Sequence, residues 1–197
     1  MRRPGAWFVA LLWLIAAPVL APAAAAQHAP QDAPEHAPEP HGYWLGPIHG
    51  PVPATIAGGT VLGTAALARL LAGGGVVLID VAEATHRPAG LPAGTLWLPP
   101  PHRDIPGSAW IPDVGRGEIS PLFAAWFRAR LAALTEGHRA KRIVVYCHPR
   151  CWMSWNAAKR AINDGYRAVF WYPDGVEGWE HAGHATAAVK PEGPGSR

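Results

Sequence analysis

Both cysteines of this 197-residue chain fall inside one crossing, Arg142 to Arg160, read R-I-V-V-Y-C-H-P-R-C-W-M-S-W-N-A-A-K-R. Ile143, Val144, Val145 and Tyr146 form the short apolar, β-branched run of a buried strand. Cys147 follows where that strand must end, because Pro149 lacks a donor and pushes His148 toward extended or turn geometry. After Cys151 the residues become helix formers, and Gly165 stands where a C-cap is expected. The crossing is therefore strand, loop, helix, with both sulfurs just ahead of a helix N-terminus. The unpaired N–H groups and positive dipole end there stabilise a thiolate. Cys147 and Cys151 are the candidate chemical centre.

The N-terminus reads as an export leader over residues 1–26. Arg2 and Arg3 precede an apolar run from Ala6 to Ala17, and Ala24-Ala25-Ala26 offers a small-residue cleavage site. That run is short for a spanning helix and is followed by Pro18 and Pro22. The expectation is an exported, periplasmic protein with no membrane attachment after cleavage. The formal charge is +3, and removing the two leader arginines leaves +1. A near-neutral chain without a basic block argues against nucleic acid or anionic membrane as partner. In an oxidising compartment two cysteines usually mean a structural disulfide, but a four-residue spacing closes too small a loop to constrain the unfolded chain much.

Residues 27–41 carry His-Ala-Pro twice and read as a proline-rich tether. A single domain is expected over 42–184. A helix is predicted over Thr60 to Ala72, ended by Gly73-Gly74-Gly75, and Val76 to Val81 reads as a buried strand containing Asp80 near its end. Asp80 is a candidate site residue and equally a candidate for fixing the next loop through backbone N–H groups. Leu96-Trp97-Leu98 reads as a short strand. Ser120-Pro121 opens a helix to about Thr135, with Leu122, Phe123, Trp126, Phe127, Leu131 and Leu134 on its buried side. Arg167 to Trp171 reads as the last strand, and 185–197 as a disordered tail. The alternation predicts an α/β domain with a mainly parallel sheet, helices on both faces, and a site at the strands' C-terminal edge.

These pieces resemble a rhodanese-like domain in their order and spacing. Val77 to Val81 looks like its first core strand and Ile105-Pro106-Gly107-Ser108-Ala109 is similar to its I-P-G-A segment. Ile143 to Cys147 looks like the strand that delivers the nucleophile, and Gly165-Tyr166 with Gly175 to Trp179 like its closing pattern. Cys147-His-Pro-Arg-Cys151-Trp152 further resembles an exported subfamily named for its cysteine–cysteine–tryptophan motif. That resemblance implies a setting in alcohol catabolism by pyrroloquinoline-quinone (PQQ)-dependent dehydrogenases.

Rhodanese chemistry implies that Cys147 attacks a small sulfur-containing substrate and holds a persulfide. Cys151 would resolve it into a disulfide. His148 would assist proton transfer, Arg150 would bind an anionic donor, and Ser154 belongs to the same binding loop. Trp152 is a candidate to stack on a quinone or other flat ligand. Two departures from the family pattern stand out: Ala82 where an Arg is usual, and Met153-Ser154 where the loop usually ends in Arg-Ser. The alternative is an accessory module in which Cys147 and Cys151 hold copper or a redox cofactor for a PQQ-dependent system.

Overall fold

The computed structural model describes residues 36–194. The leader expected at 1–26, the first part of the tether and the last three residues lie outside these. The sheet is built on two strands, β2 (Val76–Asp80) and β5 (Arg142–Tyr146), paired in parallel from Val76 opposite Arg142 to Asp80 opposite Tyr146. On the far side of β5 lies β6 (Val169–Tyr172), and beyond it β1 (Thr60–Val61), so the helix expected from Thr60 starts only at Thr64, its first two residues being drawn into the sheet edge. On the far side of β2 lies β4 (Ala109–Trp110). The order is β1-β6-β5-β2-β4 and every pairing is parallel, as the alternation of strands and helices predicts.

Both faces of this sheet are covered, which explains the unbroken apolar runs of its central strands. Val77, Ile79, Ile143, Val145 and Cys147 pack toward Phe127 and Leu131 of α2 (Pro121–Leu134) and toward Trp155, Ala157 and Ala158 of α3 (Trp152–Asn163). The alternate residues Leu78, Val144, Tyr146 and Tyr172 meet Leu67 of α1 (Thr64–Ala72) and Val176 and Trp179 of α4 (Gly175–His181). The two-residue strand period sends Cys147 to the α2/α3 side and Tyr146 to the other. Ser120 caps α2 by accepting the Phe123 N–H at 3.2 Å, with Pro121 at the first helical position.

Several expectations need correction. Leu96-Trp97-Leu98 forms no strand, and Leu96 and Leu98 are exposed. Pro99, Pro100 and Pro101 follow at once and have no N–H to give to a ladder. Leu122 is exposed too, since it falls outside the stripe set by Phe123, Phe127, Leu131 and Leu134. The last strand is not at 167–171. β7 (Ala187–Val189) follows, antiparallel to β3 (His102–Asp104). The tail expected to lack structure from 185 is thus bound to the domain. Glu192 reinforces it, its N–H donating to the Trp110 carbonyl at 2.8 Å and its carboxylate pairing with Arg130. The domain also begins before residue 42. Ala37 donates to the Val52 carbonyl at 3.1 Å, and the Glu39 carboxylate accepts from Thr55 and from the Ala57 N–H. Ladders this short leave no periodicity to read.

Candidate active site

Cys147 leaves β5 at the C-terminal edge of the sheet, where parallel strands present their ends to a binding face. Four residues on, Cys151 is the N-cap of α3. The two are joined as a disulfide, their Cα atoms 6.6 Å apart, and both side chains are buried. The loop between them is tied down on two sides. The Cys147 carbonyl accepts the Val176 N–H at 3.0 Å, and Gly175 presses against it in the left-handed region with φ 64°. A Cβ on Gly175 would lie 2.6 Å from the Cys147 oxygen and 2.6 Å from the His148 carbonyl carbon, so only glycine fits. From the other side the lead-in segment laces the loop. Gly50 donates to the Arg150 carbonyl at 2.9 Å, His49 bridges Cys151, and Trp152 donates to the Ile48 carbonyl at 2.8 Å.

The residues that follow point inward. The Ser154 hydroxyl donates to the Cys151 carbonyl at 3.1 Å and accepts the Trp171 indole N–H at 3.0 Å. Trp152 is buried and stacks on Trp44 with centroids 4.4 Å apart and planes 11° apart. That ring face is already occupied. Asn156 accepts the Trp44 N–H at 2.8 Å and donates to the Trp44 and Gly115 carbonyls at 3.0 Å each, which holds the lead-in segment against α3. Arg150 is exposed and takes φ 56°, the left-handed conformation that turns the chain into Cys151.

The charged groups gather around His148. Its Nδ1 lies 2.7 Å from the Glu177 carboxylate, which selects Nδ1 as the donor and leaves Nε2 for proton exchange. His148 lines a polar recess of about 320 Å³ together with His49, His86, Arg116, Glu83 and Met153. Three imidazoles and the Arg116 guanidinium, paired to Glu83, Asp113 and Glu177, give the recess a mixed lining whose N–H groups can meet an anionic visitor. The Arg116 guanidinium, bonded to Asp113 and Glu83, has its pKa raised. Burial works against the charge, and the carboxylate partners outweigh it.

Behind His148 lies a second cluster. His102 sits edge-on to it with centroids 6.5 Å apart, and stacks on Trp110 at 3.9 Å. The His102 Nε2 lies 2.7 Å from Asp80 Oδ2 and 2.9 Å from Asp104 Oδ1. Burial lowers the His102 pKa, but hydrogen bonds to Asp104 and Asp80 outweigh it and lift the group to about 9. Burial pushes the Asp104 carboxyl well above the ordinary carboxylate range. Burial likewise raises the Tyr146 phenol, assisted by the charges of Asp80 and Asp104. Tyr146 accepts the Ile105 N–H at 3.1 Å and meets the Ser108 hydroxyl at 2.7 Å. Ser108 gives its own proton to the Ile105 carbonyl, so the phenol is the donor in that contact.

A protein-family model described as the rhodanese-like domain matches residues 64–182, more than half of the chain. The chain belongs to the rhodanese-like family. Solved structures similar to it include a thiosulfate sulfurtransferase from Pseudomonas aeruginosa, at 18% identity and a TM-score of 0.45 over 68% of this chain and 21% of that one. A 3-mercaptopyruvate sulfotransferase from Escherichia coli matches at 17% identity and a TM-score of 0.44, over 68% of this chain and 54% of that one. A polysulfide-sulfur transferase homodimer from Wolinella succinogenes matches at 17% identity and a TM-score of 0.41, over 72% and 85%. The chain spans about a fifth of the first of these and about half of the second. No curated protein matches it.

Within this rhodanese-like domain, the residues singled out in the sequence fall in different places. Cys147, His148, Arg150 and Cys151 share the loop, and Asp80 lies on the neighbouring strand, opposite Tyr146. Asp80 also fixes the next turn, its Oδ1 accepting the Ala82 N–H at 2.7 Å. Trp152 and Ser154 pack away from the recess. In the disulfide state the cysteines present no thiolate to copper. His102, Asp104, Arg116 and Glu177 join the site without having been read from the sequence. The first two lie in a proline-rich stretch with no period, Arg116 in a glycine-bearing loop, and Glu177 in the first turn of a seven-residue helix. Only the family's closing pattern at Gly175 to Trp179 pointed near Glu177.

Proposed function

We propose that the domain transfers sulfur through Cys147 and that the Cys147–Cys151 disulfide is the end state of each turnover. The carrying observation is the pairing itself: Cys147, which the resemblance sets at the nucleophile position, is bonded to a second cysteine in its own loop. A dithiol reductant first opens the bond, leaving two thiols. The Cys147 thiolate attacks the outer sulfur of a sulfane donor, the donor's S–S bond breaks, and its electron pair leaves with the remaining anion. Cys147 then carries a persulfide. Cys151, as thiolate, attacks the Cys147 sulfur, expels hydrosulfide and restores the disulfide. The two electrons that reduce the sulfane sulfur come from the dithiol. His148, oriented by Glu177, moves the protons through Nε2, and the recess of His49, His86 and Arg116 draws the anionic donor.

The leader signature supports export to an oxidising compartment, where a dithiol partner would renew the thiols. The Cys-x3-Cys-Trp signature supports membership of the exported subfamily and a setting beside PQQ-dependent alcohol oxidation. The test is intact mass after reduction, then after thiosulfate or an organic persulfide. Wild type should return to the disulfide and release sulfide. Cys151→Ala should keep one added sulfur, and Cys147→Ala none. A disulfide that no dithiol opens in the folded protein, with lost thermal stability the sole effect of forcing it, would show that the pair is structural.

A further inference from the structure

Among the described residues, one group of three side chains brings metal-ligating atoms together: His102 Nε2, Asp80 Oδ2 and Asp104 Oδ1, all within 4.8 Å of one another. Asp80 is fully buried, the Asp104 side chain is 2% exposed and His102 is 15% exposed. Hydrogen bonding leaves this cluster incomplete. His102 Nε2 carries at most one proton, for which Asp80 Oδ2 and Asp104 Oδ1 compete, and the buried Asp104 Oδ2 has no hydrogen-bond partner. Both nearby hydroxyls are committed elsewhere, Ser108 to the Ile105 carbonyl and Tyr146 to Ser108. A buried carboxylate oxygen without a donor is costly, and a cation seated between the two carboxylates would supply the missing partner.

The three ligand atoms are also held in place from behind. Asp80 Oδ1 accepts the Ala82 N–H at 2.7 Å, which aims Oδ2 at the cluster. The His102 ring is clamped against Trp110, whose indole donates to the Ala82 carbonyl at 2.8 Å. The Asp104 backbone is fixed by the ladder to Ala187. Orienting contacts of this kind are what outer-shell partners supply at metal centres. His102 further lines a cavity of about 290 Å³ with Glu83, Thr85, Trp110 and Lys190, which gives an ion a way in and room for water ligands.

We propose that Asp80, His102 and Asp104 form a site for a divalent first-row transition ion, bound through one imidazole and two carboxylates with water completing the sphere. Two carboxylates cancel a divalent charge, and one nitrogen with two oxygens suits Zn²⁺, Mn²⁺ or Fe²⁺ better than a soft Cu(I). The ion would lie beside His148 and apart from the cysteines. Its binding is independent of the sulfur-transfer reading, since it needs neither thiol.

The test titrates Zn²⁺, and Co²⁺ as a spectroscopic probe, into the chelator-stripped chain with its disulfide intact. Calorimetry should find one tight ion per chain, and the zinc absorption edge should report a nitrogen and oxygen shell. Asp104→Asn, which keeps the shape, and His102→Gln should each remove that ion while retaining the native circular dichroism. Wild-type protein that takes up no ion at submillimolar metal would overturn the site. So would uptake unchanged in both variants, which would place the ion on tether histidines. Should either variant misfold, a sulfur scatterer in the wild-type zinc shell would by itself sink the assignment.

Discussion

At the scale of single residues, Gly175 and His102 show how much of this site is set by positions outside the cysteine motif. Gly175 lets α4 begin directly under the Cys147 carbonyl. Gly175→Ala must place a methyl group 2.6 Å from that oxygen in a left-handed conformation. The combined cost is about 2–4 kcal/mol, read as a lowered urea midpoint. His102 makes stability depend on pH. Its pKa is raised from 6.5 to about 9 in the folded chain, so its contribution is complete below pH 6.5 and is lost as pH rises through about 9. Chelator-treated protein should therefore melt at progressively lower temperature across that window. His102→Gln should flatten this fall, and a slope unchanged in the variant would assign it to other groups.

At the scale of elements, α3 carries the site, and its anchoring is polar as well as apolar. Asn156 spans Trp44 and Gly115 with three hydrogen bonds and thereby fastens the lead-in segment over the cysteine loop. Asn156→Ala strands those backbone groups and should cost about 2–3 kcal/mol. It should also speed reduction of the disulfide, since the cover is loosened. The β5–loop–α3 crossing was legible because each part carries a local signal: a β-branched run, a proline, then helix formers. The parallel sheet followed from alternation of such parts. The Asp80 side chain was ambiguous between two roles and in fact performs a backbone role with one oxygen and faces His102 with the other. His102 and Asp104 were illegible because β3 is three residues long and its partner β7 is equally short. Nothing local marks a ladder whose two halves lie more than 80 residues apart.

At the scale of the whole molecule, both ends of the described chain close onto the domain. Among the described residues no helix is long and apolar enough to cross a membrane. Truncation after His184 removes β7, the Glu192 bond to Trp110 and the pairing with Arg130. Differential scanning calorimetry should show a loss of about 3–6 °C, as expected for 1–2 kcal/mol in a domain of this size. An unchanged melting temperature would mean that the tail contributes no stability. The lacing of Ile48 to Gly50 over the cysteine loop has a kinetic consequence. With both sulfurs buried, a reductant meets only the small share of molecules in which that lacing has lifted. The observed rate is then the chemical rate multiplied by that share, and every 1.4 kcal/mol or so added to the closed form slows it about tenfold. The domain is thus geared so that tightening it makes it slower, and a partner that lifts the segment on docking would act as its accelerator.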